Sequence, residues 1–145
     1  MKKSILLLVF YFLFISCHKE ITENDIAKIN GYWEIEKVVF PDGNEKKYTI
    51  NETYDYFEIK NNSGFRKKVN PQLDGTFLVN DTFEKVTINK EKENYFLNYS
   101  TSFSKWKEKI ITLSDSELVL INTNNEYHYK RATPINIIPN GKKTQ

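Results

Sequence analysis

The fold is decided by residues 31–40, which read Gly31-Tyr32-Trp33-Glu34-Ile35-Glu36-Lys37-Val38-Val39-Phe40. This stretch begins at a glycine, carries one of the two tryptophans of the chain, and alternates apolar with charged side chains. Alternation with period two is typical of a strand with one buried face and one solvated face. We therefore predict that residues 31–40 form the first long strand of a sheet.

Strand-like segments recur downstream at intervals of about ten residues, as expected of a meander. The apolar phase slips near Ile110, which indicates a β-bulge. Upstream, Thr22 and Asp25 have capping-box spacing and predict a short helix over residues 22–30, over an open end of the sheet or beside it. The further predicted strands are residues 46–50, 53–60, 65–70, 76–80, 83–89, 94–100, 104–113, 117–122 and 126–131.

The short connections between these strands favour an antiparallel sheet, since no helix-length amphipathic pattern is present to carry parallel crossovers. The two architectures compatible with such a sheet are a barrel and a sandwich. Closure into a barrel removes exposed strand edges. About eight to ten strands enclose either packed side chains or one small ligand. The sequence predicts an all-β chain with a single antiparallel up-and-down β-barrel over residues 31–131 and a C-terminal tail over residues 132–145.

The composition fits one domain, with 145 residues of which 39% are hydrophobic and 28% charged. The formal net charge is +2, and without Lys2 and Lys3 the 21 basic residues fall to 19, equal to the 19 acidic ones. Nucleic-acid binding requires an excess of basic charge. We therefore expect no nucleic-acid partner, and we expect a monomer.

The N-terminus has the form of a secretory signal over residues 1–16, because two lysines precede eleven apolar residues, a run too short to span a bilayer. It ends Phe14-Ile15-Ser16-Cys17, which resembles the signal peptides of bacterial lipoproteins. The resemblance implies that Cys17 carries diacylglycerol and palmitate and anchors the chain to the outer membrane. Alternatively, Cys17 is an ordinary thiol at the end of an ordinary signal peptide.

Residues 17–30 then form a tether and the short helix. The lysine and acidic residues after Cys17 resemble a tag that sends some lipoproteins to the outer face of the outer membrane, and a solvated tether explains the same composition.

The triplet Gly31-Tyr32-Trp33 resembles the glycine-any-tryptophan motif of lipocalins. In that family the tryptophan plugs the closed end of the barrel and an arginine at the end of the last strand lies across its ring. The resemblance assigns barrel closure to Gly31, Trp33 and Arg131. It implies a non-catalytic lipocalin-like β-barrel that binds or carries a small apolar molecule.

Aromatic and aliphatic side chains predicted to face inward supply a candidate ligand pocket. Alternatively, they fill the interior of a small barrel, and the protein is an interaction module that docks a partner through its outer surface or open-end loops. The candidate pocket residues are Ile35, Tyr56, Phe57, Phe77, Leu97, Tyr99, Trp106, Tyr127 and Tyr129.

The sequence contains no recognisable catalytic or metal-binding constellation. Of the two histidines, His18 falls in the tether and His128 is predicted to face solvent. Asp55 and Glu58 either lie in a pocket or belong to a solvated outer face, and we favour the outer face. For the basic run at residues 66–68 we likewise favour a solvated strand face over a docking patch. We expect no enzyme activity, no cofactor and no metal.

Overall fold

The computed structural model describes residues 20–133 and contains, in this range, ten strands and one short 3-10 helix over Glu23–Ile29. Cys17, the predicted signal segment and residues 134–145 lie outside this range. Within it, no helix has the length and apolar character needed to cross a bilayer. The strands are β1 Gly31–Val39, β2 Glu45–Lys47, β3 Tyr54–Lys60, β4 Ser63–Pro71, β5 Phe77–Val79, β6 Glu84–Glu91, β7 Asn94–Ser100, β8 Lys105–Leu113, β9 Glu117–Asn122 and β10 Asn125–Arg131.

Eight of these strands close into an antiparallel barrel in the order β1-β3-β4-β6-β7-β8-β9-β10, because β10 pairs with β1. The shorter strands β2 and β5 lie outside this ring, with β2 paired to the end of β1 and β5 to the end of β4. The predicted all-β barrel is therefore confirmed. We call the end that contains Gly31, Lys60 and Arg131 the closed end, and the end that contains Val39 and Tyr54 the mouth.

The 3-10 helix caps the closed end. Its start is a capping box, since Thr22 donates from its backbone nitrogen and its hydroxyl to the Asp25 carboxylate, at 3.0 and 2.7 Å. Ile26 and Ile29 pack into the barrel core. The helix therefore covers the Trp33 end of the barrel, opposite the mouth.

Two bulges adjust which side chains face inward. The predicted one lies between Ile110 and Thr112, where the register of β8 against β9 shifts. The other lies between Ile35 and Lys37 of β1, where one extra residue shifts the alternation so that Val38 is buried. β1 therefore contributes apolar side chains to the interior on both sides of the bulge.

The β3–β4 hairpin shows how local sequence fixes strand register. Asn61 and Asn62 form its two-residue loop, and both have positive φ, 51° and 60°. Asparagine tolerates this backbone region, which matches the right-handed twist of the flanking strands. The hairpin therefore resumes pairing at Ser63, opposite Lys60.

Candidate functional site

The closed end is sealed by Trp33, whose side chain is fully buried. The indole Nε1 donates a hydrogen bond of 2.7 Å to the carbonyl of Ile29 in the 3-10 helix. The guanidinium carbon of Arg131 lies 3.8 Å from the centre of the tryptophan ring. The first strand, the last strand and the helix thus meet around one aromatic ring.

Arg131 also hydrogen-bonds to three backbone carbonyls. It donates to the carbonyls of Lys28 and Asn30 at the end of the 3-10 helix and to that of Asp115 in the β8–β9 turn. Burial lowers the pKa of Arg131 from its ordinary value, although Asp115 opposes this effect. A planar group with five donors suits this position because it can stack and donate at the same time.

Gly31 is required by both backbone geometry and space. Its φ is +109°, a conformation that side chains disfavour, and an added Cβ would lie 3.0 Å from Nη1 of Arg131. The glycine and the tryptophan of the triplet therefore have separate tasks. The glycine makes room for the arginine, and the tryptophan supplies the ring on which it stacks.

Seven of the nine candidate pocket residues share one interior core. Several are completely enclosed: Phe57, Leu97 and Tyr99 expose 2% of their surface or less. Together with Leu118 and Leu120 of β9, they fill the interior of the barrel. The seven are Ile35, Phe57, Leu97, Tyr99, Trp106, Tyr127 and Tyr129.

Tyr56 and Phe77 do not line the interior, so their assignment to the pocket is wrong. Phe57 points inward on β3, and period two then requires its neighbour Tyr56 to point outward. Phe77 belongs to β5, outside the ring, and stacks on Tyr32 with ring centres 4.1 Å apart. Both residues belong to an outer cluster with Tyr54 and other residues on the barrel wall.

Two charged residues predicted on solvated faces are instead buried inside the barrel. Arg66 and Asp55 expose 8% and 3% of their surface. Both side chains are on the inward parity of their strands, and Arg66 lies opposite Phe57 in the β3–β4 ladder. Glu58, on the outward parity, is exposed as predicted.

Arg66 is the centre of a charged cluster near the mouth. Its guanidinium carbon lies 4.4 Å above the centre of the Tyr99 ring, and its Nε donates to the carboxylate of Glu84. The carboxylates of Asp55 and Glu108 lie 3.7 and 3.8 Å from guanidinium nitrogens. One buried cation thus faces three carboxylates from three other strands.

The cluster changes the protonation behaviour of its members. Burial lowers the pKa of Arg66, but Tyr99 and the nearby carboxylates outweigh burial and hold that pKa above its ordinary value. Burial raises the pKa of Glu108, and the Arg66 charge only partly offsets it. Arg66 therefore stays charged, and Glu108 takes up a proton more readily than an ordinary glutamate as pH falls.

A groove of about 660 Å³ opens at the mouth, above this cluster. It lies where β4 diverges from β6, between the β5–β6 connection and the β7–β8 turn. Arg66 and Glu84 belong to both the cluster and the groove. The other lining residues are Lys67, Lys68, Asp81, Thr82, Phe83, Lys85, Ser100, Thr101, Ser102 and Phe103.

Side-chain hydrogen bonds order both loops that flank the groove. Asn80 Oδ1 accepts from the backbone nitrogen and the hydroxyl of Thr82, at 3.1 and 2.5 Å. Thr101 Oγ1 accepts from the backbone nitrogens of Phe103 and Ser104, at 3.2 and 3.1 Å. These bonds hold the β7–β8 turn so that Phe103 stands in solvent, 97% exposed.

None of the nine candidate pocket residues lines this groove. The basic run at residues 66–68 and the aromatic residues Phe83 and Phe103 beside turns were the available signals. His128 lies outside the site and pairs with Glu126 at 3.2 Å. Among residues 20–133, no group of three or more histidine, cysteine or acidic residues could hold a metal ion.

A closed eight-stranded antiparallel barrel, sealed at one end by a tryptophan beneath a short N-terminal helix, defines a lipocalin-type protein. A family model described as a lipocalin-like domain matches residues 29–120. The chain therefore belongs to the lipocalin-like family, which confirms the resemblance drawn from Gly31-Tyr32-Trp33. This family is generally non-catalytic.

Two solved structures resemble this fold. One is a lipocalin-like protein from Bacteroides uniformis, with 14% sequence identity and a TM-score of 0.49, covering 72% of this chain and 99% of that one. The other is an uncharacterized protein from Bacteroides eggerthii, with 12% identity and a TM-score of 0.47, covering 71% of this chain and 98% of that one. No curated protein sequence matches the chain significantly.

Proposed function

We propose that this protein is a lipid-anchored, non-catalytic binding protein that holds a small molecule in the groove at the mouth of its barrel. The observation that carries the proposal is the groove of about 660 Å³, which lies within the range of about 300–1,000 Å³ typical of ligand pockets. Such sites combine apolar walls with a few polar groups that orient the ligand. Here Phe83 and Phe103 supply apolar surface, and the hydroxyls of the β7–β8 turn supply polar groups.

The mouth is a better site than the interior because interior side chains are already packed against one another. Trp33, Phe57 and Leu97 expose 1% of their surface or less. A ligand placed among them would have to displace buried apolar side chains, which costs several kcal/mol for each residue moved out of the core. The groove can accept a ligand without this cost.

The proposed anchor orients the mouth. Cys17 precedes the 3-10 helix by six residues, and that helix packs on the closed end. A lipid on Cys17 would therefore hold the closed end next to the membrane and direct the groove away from it. A secretory signal ending in Phe14-Ile15-Ser16-Cys17 supports this anchor and an outer-membrane location.

Binding without catalysis is supported by the chemistry of the lining. The groove contains no histidine and no cysteine, and its one arginine is held by carboxylates. A nucleophile needs a base positioned to activate it. Among the described residues, no hydroxyl of the lining is hydrogen-bonded to a lysine or a carboxylate that could activate it.

A second candidate function, a protein-interaction module, is favoured by exposed apolar residues at the mouth that lie outside the groove. Leu73 and Leu78 expose 77% and 65% of their surface. β5, which carries Leu78, pairs only with β4 among the described strands. An apolar surface beside a strand edge is a common docking site for other proteins.

Ligand titrations with matched variants separate the two candidates. We expect apolar probes such as decanol to change the fluorescence of Trp106, which stacks on Tyr99 beneath the Arg66 cluster, in a saturable way. The variant Phe83→Ser/Phe103→Ser should weaken this binding about 10-fold or more, because each phenyl group contributes roughly 1 kcal/mol or more of apolar contact. Leu73→Ser, a change at another exposed apolar residue that lies outside the groove, should leave it unchanged.

The proposal is abandoned if no probe gives a saturable signal, or if Leu73→Ser weakens binding as much as the phenylalanine variant does.

A further inference from the structure

The lining of the groove has an excess of positive charge. Four cationic side chains line it against two carboxylates. The cations that matter for a ligand are those without a carboxylate partner. A cation already paired with a buried carboxylate interacts only weakly with a further anion. The cations are Arg66, Lys67, Lys68 and Lys85, and the carboxylates are Asp81 and Glu84.

Two of the four cations are already paired with carboxylates of the protein. Arg66 donates to Glu84 inside the barrel. Lys68 Nζ lies 2.8 Å from the carboxylate of Asp55, which is buried below the groove. These pairs fix the floor of the groove, where both cations already face carboxylates.

Lys67 and Lys85 remain. Within residues 20–133, neither ammonium group has a carboxylate within 4.0 Å, and of the lining carboxylates only Asp81 is also without a salt bridge. Lys67 Nζ lies 5.9 Å from the centre of the Phe83 ring and 5.6 Å from that of Phe65. Lys85 is the ladder partner of Phe65, so both lysines stand beside the same aromatic wall.

Ammonium groups next to exposed phenyl rings form a surface with two parts, one apolar and one cationic. We infer that the groove takes an amphipathic anion, with an apolar body against Phe83 and Phe103 and a carboxylate, sulfate or phosphate head at Lys67 and Lys85. This inference rests on the proposed function and adds the chemical class of the ligand. The hydroxyls of Ser100 and Ser102 line the same groove and can donate to the head.

Ligands with one tail and different heads test the inference. We expect decanoate to bind the full-length protein at least 10-fold more tightly than decanol or decylamine, below their micellar concentrations and at low salt. The preference should shrink when salt is raised, because exposed charges are screened. Decyl sulfate and decyl phosphate, titrated in parallel, identify which anionic head binds most tightly.

Matched lysine variants locate the head group. Lys67→Gln/Lys85→Gln should reduce the affinity for decanoate to near that for decanol and leave decanol binding unchanged. The control Lys60→Gln/Lys92→Gln removes two exposed lysines at the closed end and should preserve the preference for decanoate.

The possible failures are distinguishable. Equal affinity for decanoate and decanol, with both still sensitive to Phe83→Ser/Phe103→Ser, overturns the anionic ligand and retains the proposed groove. Loss of the decanoate preference in the closed-end control also overturns the inference. Absence of binding by every probe overturns the proposed function itself.

Discussion

The contact between Trp33 and Arg131 predicts a measurable energetic coupling across the barrel closure. The variants are Trp33→Phe, Arg131→Met and the double substitution. Phenylalanine keeps an aromatic ring but removes the indole nitrogen that donates to Ile29. Methionine keeps the apolar stem of Arg131 but removes the guanidinium that lies 3.8 Å from the indole ring.

The magnitudes follow from these contacts. Trp33→Phe loses one buried hydrogen bond and part of a fully buried ring, which should lower the free energy of unfolding by about 2–3 kcal/mol. Arg131→Met loses charged hydrogen bonds to three carbonyls, and because burying the guanidinium costs energy, the net loss should be about 2–4 kcal/mol. Because phenylalanine keeps a ring on which Arg131 can stack, the cycle reports only what the indole adds to the stacked pair, which should be about 0.5–1 kcal/mol of coupling.

Urea unfolding followed by far-UV circular dichroism provides the four free energies of the cycle. A second cycle between Trp106 and Arg131 is the control, because Trp106 lies in the upper barrel near the mouth while Arg131 is at the closed end. Sites without shared contacts should be additive within about 0.5 kcal/mol. A coupling for Trp33 and Arg131 no larger than that of the control pair would refute this account of barrel closure.

Three further predictions concern the backbone, the charged cluster and the anchor. Gly31→Ala should lower the free energy of unfolding more than Gly43→Ala. Both residues have positive φ, which costs an alanine about 1–3 kcal/mol, but only at Gly31 would the new Cβ also meet Arg131. Equal losses of unfolding free energy in urea would contradict this prediction. Because burial raises the pKa of Glu108, the folded state binds its proton more tightly than the unfolded state, so its contribution to stability should fall as pH rises above about 4.5. Urea unfolding across pH should show a weaker decline for Glu108→Gln, and parallel curves would oppose this assignment. Cys17→Ser should abolish incorporation of radioactive palmitate, and label that persists in the variant would rule out lipidation at this residue.

Much of the architecture could be predicted because each strand and turn is indicated by its own residues. The bulge near Ile110 was visible as a slip of the apolar phase, and Asn61 supplied a turn signal that needs no tertiary context. The bulge in β1 was missed, because Lys37 and Val38 fit a regular strand as well as a bulged one. Only pairing with β10 shows that Val38 faces inward there.

The site was harder to predict because the sequence does not show which of two adjacent aromatic residues faces the interior. Tyr56 and Phe57 are both plausible core residues, and period two admits only one of them to the interior. The charged cluster was hidden for a related reason. Arg66 looks like a solvated strand residue until the barrel closes and places Glu84 and Glu108, which are distant in sequence, around it.

The two ends of the barrel have different chemical characters, and this difference supports a site at the mouth. Every large apolar residue that is exposed among residues 20–133 lies toward the mouth, on its connections or on β5: Phe40, Ile50, Leu73, Leu78, Val79, Phe83 and Phe103.

The proposed anchor bears on what these apolar residues can contact. Ile21 packs against the barrel core, and the four residue steps from Cys17 to Ile21 span at most about 14 Å, whereas a nine-residue strand tilted by about 40° is about 23 Å tall. A lipid on Cys17 would therefore be unable to lay the mouth flat on the membrane that holds the lipid. The exposed side chains of the mouth would then meet ligands or partners that arrive from the aqueous side, which is where an amphipathic anion dissolved in water would be captured.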